Sequence, residues 1–126
     1  MQAIAATEPE LVKTLTEVGF MAAGHGLRTQ AETIFSGLAH LRPDSEVPAI
    51  GQALALLQQG QYPQAQYLLR EQALKIAPES GMALCFLGLA LQLDGQRQAA
   101  RHAWEQARSG ADEQAAALAR SLLDAA

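Results

Sequence analysis

Residues 81–107, GMALCFLGLALQLDGQRQAARHAWEQA, decide how this chain folds. Leu84, Leu87, Gly88 and Leu91 recur at helical spacing along the first half of the stretch. Gly95 then stops the helix, because a residue free to take positive φ lets the last carbonyls find partners. Ala100, Trp104 and Ala107 follow at intervals of four and three, an apolar stripe on a second helix. The stretch therefore predicts a hairpin of two short amphipathic helices.

The same pattern recurs upstream. Stepping back from Gly88 reaches Ala53 and Gly19, and from Gly95 it reaches Gly60 and Gly26. Ala100 has counterparts in Ala65 and Ala31, and Trp104 in Leu69 and Phe35. Pro43 and Pro78 close the first two units, with Asp112 in the third. Every step is 34 or 35 residues, and the longer ones all fit one extra residue between Leu69 and Pro78. A Leu-Gly pair, a turn glycine and a later Ala-x-x-x-aromatic-x-x-Ala at this period resemble the tetratricopeptide repeat (TPR) family, from about residue 11 to 112.

That resemblance implies an all-α chain, a right-handed superhelix of three helix-turn-helix repeats (about 11–44, 45–79 and 80–112) with a capping helix at about 113–125. Residues 1–126 would form a single domain. Each position in the repeat has a physical task. Gly19, Ala53 and Gly88 lie where the helices of a hairpin cross, so only small residues fit there. Phe35, Leu69 and Trp104 fill the space between one hairpin and the next. No hairpin buries its apolar face alone, so stability comes from stacking.

The helices expected in detail cover residues 8–23, 29–41, 46–59, 63–76, 81–94 and 97–109. A seventh follows Asp112, with Ala115, Leu118, Leu122 and Leu123 inward. Thr7 and Glu10 make a capping box around Pro9, Asp44 or Ser45 caps the third helix, and Ser80 caps the fifth. Residues 1–6 are expected to fray.

Composition narrows the function. The chain is 49% hydrophobic but only 5% aromatic, which suits closely packed helices better than a β-sandwich. A net charge of −4 disfavours nucleic acid, which needs a basic stripe. Arg97, Arg101 and Arg108 share a helix with Glu105 and read as a solvated face. The single cysteine, Cys85, allows no internal disulfide. Neither a signal peptide nor a membrane-spanning run is visible, so the expected location is the cytoplasm, with no membrane insertion.

Catalytic chemistry finds no footing. His25, His40 and His102 fall in three different elements without a ligand-spaced partner, which speaks against a metal or other cofactor. Cys85 sits in an apolar helix with no basic neighbour to activate it. Gly24-His25-Gly26 lacks the strand and Lys-Ser/Thr of a phosphate loop. The reading is that this protein is not an enzyme.

What remains is a concave surface. In TPR arrays the first helix of each hairpin lines it, which here means Lys13, Thr16 and Phe20, then Val47, Ile50, Leu54 and Leu57, then Met82, Cys85, Leu89 and Leu93. Most are apolar. A groove of that kind suits an amphipathic helix with anchors three, four and seven apart. The carboxylate-clamp type of TPR resembles a basic, Asn-lined groove, and Thr16, Phe20, Ile50 and Leu54 stand in the corresponding places here. The fifth helix, apolar nearly all round, must be covered by a partner, by the C-terminal helix or by a second copy.

A short three-repeat chain with this groove also resembles the needle-subunit chaperones of bacterial type III secretion. The segments that carry the likeness are EVGFMAAGHG, LALLQQGQYPQAQYLL and MALCFLGLALQLDG, together with a short terminal helix. The resemblance implies a cytoplasmic chaperone that holds the amphipathic helix of a needle subunit and prevents its premature polymerisation. A second small helical co-chaperone is implied as well. Phe20, Val47, Ile50, Leu54, Leu57, Met82, Cys85, Leu89 and Leu93 would then touch the cargo, and the chain without cargo would be poorly soluble or a homodimer. The alternatives are a chaperone of another secreted translocator or effector, and a TPR scaffold that self-associates through the same apolar face.

Overall fold

A computed structural model describes residues 7–126, so the expected fraying of residues 1–6 lies outside it. The described residues form seven helices and no strand. They are α1 (Glu8–Gly24), α2 (Arg28–Leu41), α3 (Val47–Gln58), α4, α5 (Gly81–Leu93), α6 (Arg97–Arg108) and α7 (Glu113–Ala125). The fourth, α4, is α-helical over Tyr62–Leu68, widens into a π-helical turn over Leu69–Ala73, and ends with Leu74–Ile76.

Local chemistry sets the ends. The Thr7 side chain accepts the Glu10 amide and the Glu10 carboxylate reaches back to Thr7, a closed capping box. Those hydrogen bonds to the charged carboxylate hold the Glu10 pKa below its ordinary value. Ser80 accepts the amide of Ala83, and Asp112 those of Gln114 and Ala115. The third helix differs from expectation: Glu46 precedes it without a side-chain cap, and Ser45 Oγ accepts only the Val47 amide. Gly26, Gly60 and Gly95 all have φ between 75° and 82°, so the three hairpins turn the same way.

Consecutive helices pack against each other, and α1, α3, α5 and α7 also lie side by side as one row. The even helices form a second layer, each wedged against its odd neighbours. Two apolar clusters fill the interface. One is centred on Phe35 with Ala22, Ala23, Ala31 and Leu38, the other on Trp104, Leu91, Leu69 and Cys85. Buried alanines keep the backbones close, which is why so few aromatic rings suffice.

The large residues are seated on glycines. A Cβ on Gly51 or Gly88 would overlap the ring of Phe35 or Trp104 respectively, and one on Gly19 would lie 2.8 Å from Phe35 Cζ. Trp104 Nε1 donates to the Cys85 carbonyl at 3.1 Å, so the indole is both packed and hydrogen-bonded. Gln66 is the buried polar exception. Its amide donates to Asp94 Oδ2 at 3.0 Å and weakly to the Ala90 carbonyl, and Gln96 donates to the same Asp94 oxygen. That cluster fastens α4 to the α5–α6 turn.

The π turn explains the uneven repeat. A π turn accommodates one inserted residue inside a continuous α-helix. Its place, residues 69–73, falls within the window of 69–78 that the 35-residue steps define.

Candidate functional site

The open side of the odd-helix row is the candidate site, and α5 shows best how sequence builds it. Eight of its thirteen residues are buried, including Leu84, Leu87, Gly88 and Leu91 against the even layer. Gly81 and Cys85, one turn apart, face α7: a Cβ on Gly81 would lie 2.5 Å from that of Ala115, and Cys85 Sγ donates to the Ala115 carbonyl at 3.4 Å. What is left is a stripe of half-buried Met82, Phe86 and Leu89 and exposed Leu93, spaced four, three and four apart. The stripe is apolar throughout, and its first three members pack their inner sides against the larger core cluster.

The structure distributes the expected groove residues unevenly. Phe20, Val47, Leu54, Leu57, Met82 and Leu89 are half-buried and Leu93 keeps 54% of its surface. Ile50 at 4% and Cys85 at 0% are core residues and drop out of the surface set. Phe86, absent from the expected set, takes the place assigned to Cys85. Spacing alone allows 82-85-89 and 82-86-89 equally, and only the position of α7 separates them. Phe20 is half committed to the core, because its ring meets Phe35 edge-on with centroids 5.1 Å apart.

Cys85 is chemically quiet. Burial first, and the nearby Asp112 carboxylate second, push its thiol up to about 11. A thiolate is the reactive form, so this cysteine packs and does not react.

At the other end of the row a hollow of about 260 Å³ opens among Val12, Lys13, Thr16, Leu38, Arg42 and Val47. Its lining is largely apolar with Lys13, Glu17 and Arg42 among it, and Arg42 pairs with Glu8. Val47, Lys13 and Thr16 therefore line one depression between α1, α2 and the start of α3. A second hollow of similar size lies on the even-helix side, between Glu32, Gln52, Gln59 and Leu68, and is more polar. Among the described residues no group of three or more His, Cys, Asp and Glu side chains converges, and no helix is long and apolar enough to cross a membrane.

This architecture has known counterparts. The model of a family described as bacterial type III secretion protein (HrpB1_HrpK) matches residues 2–126. The type III secretion translocator chaperone SycD of Yersinia enterocolitica superposes with a TM-score of 0.70 at 15% identity, covering 95% of this chain and 86% of that one. A second SycD structure, described as an alternative dimer, gives 0.73 at 17% identity, with coverage of 98% and 95%. The TPR domain of Sgt2 from Aspergillus fumigatus gives 0.69 at 19% identity, with 96% and 81%. At these identities the solved structures establish a TPR-like fold. A comparison with curated protein sequences finds no match.

Proposed function

Because the chain belongs to the HrpB1_HrpK family of bacterial type III secretion proteins, we propose that it holds an amphipathic helix of a secretion partner against its inner row. The observation that carries this reading is the Met82–Phe86–Leu89–Leu93 stripe on a helix otherwise enclosed by its own chain. Leu54, Leu57 and Phe20 extend it along the row, and the hollow beside Val12 and Val47 receives one large aliphatic side chain at its far end. A helix with apolar residues three, four and seven apart matches a surface of that shape.

The cargo proposed is the needle subunit of the same secretion system, kept from polymerising in the cytoplasm, with a second small helical protein joining the complex. Binding of this kind needs no catalytic group. The repeats proposed as its frame are those at about 11–44, 45–79 and 80–112. A secreted translocator is the competing cargo, since the SycD structures that share this fold are described as translocator chaperones.

Calorimetric titration of the full chain with peptides of each candidate's C-terminal helix tests the proposal. Leu89→Ala with Leu93→Ala should weaken needle-peptide binding by on the order of 2–4 kcal/mol while the far-UV spectrum is unchanged. Equal affinity of the variant and the parent chain would remove the α5 stripe from the site. Binding of the translocator peptide alone would reassign the cargo.

A further inference from the structure

Charge is unevenly placed along the inner row. Consecutive helices are joined by short turns and pack on each other, so α1, α3, α5 and α7 run the same way and their N-termini share one edge. Glu8 and Glu10 on α1, Asp44 and Glu46 before α3, Glu79 before α5, and Asp112 and Glu113 at α7 all lie there. Three of them are already engaged: Glu8 with Arg42, Glu10 in the Thr7 capping box and Asp112 as the α7 cap. Asp44, Glu46, Glu79 and Glu113 enter no ion pair among the described residues. The cations at this edge, Arg42, Lys75 and Arg108, already hold Glu8, Glu71 and Glu105. Helix dipoles leave the negative charge standing. Four N-termini and three C-termini meet at this edge, so the backbone adds only about half a positive charge.

The opposite edge has the other sign. Asp94 accepts hydrogen bonds from Gln66 and Gln96, Arg28 holds Glu32, and exposed Arg97 and Arg101 at the start of α6 enter no ion pair among the described residues. Between the edges, Lys13 and Glu17 sit one turn apart and offset each other. The apolar bed reaches across most of this width. From Met82 to Leu93 the α5 stripe runs eleven residues, about 16 Å. A helix with its side chains is about 10–12 Å across, so one lying over Phe20, Leu54, Phe86 and Leu89 has a flank within side-chain reach of each edge.

Given an inner row that binds a helix, the reading advanced above, we propose that this helix carries lysine or arginine along the flank facing the odd N-termini, and that the two edges select the direction in which it lies. A basic flank meets Asp44, Glu46, Glu79 and Glu113, which have no cation of their own; an acidic flank is repelled by them. Turning the helix end for end with its apolar face still on the row exchanges its flanks. The cations would then face Arg97 and Arg101, so one direction is favoured. These carboxylates are exposed or half-buried, so their effect is on choice of partner and encounter rate, and salt screens it over about 10 Å at 0.1 M.

The experiment is calorimetric titration of the full chain with three synthetic helical peptides that share one apolar face and carry lysine, glutamine or glutamate along one flank. At about 50 mM salt the lysine peptide should bind about tenfold tighter than the glutamate peptide, with glutamine between, and at about 500 mM the spread should fall below about threefold. Asp44 and Glu79 are exposed, and Asp44→Lys/Glu79→Lys should reverse the order at low salt with the far-UV spectrum unchanged. Arg97→Gln/Arg101→Gln, on the other edge, should keep the lysine peptide tightest. Equal affinity for the three peptides overturns the proposal and leaves the inner row as a helix site. Tightest binding by the glutamate peptide overturns it too, as does an order that the Asp44→Lys/Glu79→Lys chain preserves. Should that variant lose its helical spectrum, Glu79→Gln replaces it and should narrow the spread; an unchanged spread counts against the proposal. Binding of none of the three removes the helix-binding reading itself, and the proposal with it.

Discussion

The two ends of this array treat the same problem differently. At the α5–α6 end, α7 lays Ala115 on Gly81 and Cys85 and covers the last hairpin, leaving α5 exposed along a single stripe. At the α1–α2 end, Leu11, Val18 and Met21 face outward with no described helix over them. Repeat arrays need their terminal faces covered. The closed end therefore carries much of the stability, and the open end carries a surface available for association.

That contrast can be broken most severely at the closed end. Gly88→Leu should abolish the cooperative thermal transition, because its side chain must occupy the volume of Trp104, which is itself fixed by its bond to the Cys85 carbonyl. Trp104→Phe is milder. It removes the indole's bond to the Cys85 carbonyl, which keeps its helical amide partner, a loss of about 0.5–1.5 kcal/mol readable by urea unfolding.

Cys85 gives a pH signature of the same region. Its folded thiol titrates near 11, above the value of 9.0 it takes when unfolded, so the unfolded chain ionises first. Stability should be flat in this respect below pH 9 and decline as pH rises from 9 toward 11, and Cys85→Ala should lack that part of the decline. At pH 8 iodoacetamide should leave the native thiol intact and label it only in denaturant. Rapid labelling of folded protein would show that α7 does not stay seated.

The smallest effects belong to exposed positions. Val18→Gln should change monomer stability by no more than about 0.5 kcal/mol, and Gln96→Ala, despite its bond to Asp94, by a similar amount. A large thermal shift at Val18 would mean that the open end contributes more to folding than its exposure indicates.

The fold was legible because three registers repeat together: the turn glycines, the small residues at the hairpin crossings, and the bulky residues of the second helices. Each is forced by sterics that leave one or two residue types. The site was less legible. A groove residue and a core residue one position apart differ by about 100° around a helix, and the spacing pattern takes in buried Cys85 and passes over its neighbour Phe86. What separates them is the neighbouring helix, and no local pattern states where that helix sits.

The widened turn in α4 has a consequence for how such a chain tolerates changes in length. An added residue would normally swing everything beyond it through about 100° and advance it by 1.5 Å. Here the surplus is swallowed by the loop of the helix itself, so Gly60 and Gly95 keep nearly the same φ and the third hairpin stacks as if nothing had been added. Removing one residue at Gln72 should restore an ordinary helix without disturbing that stacking, whereas the same deletion inside α5, where nothing absorbs it, would turn the α5 stripe away from the inner face.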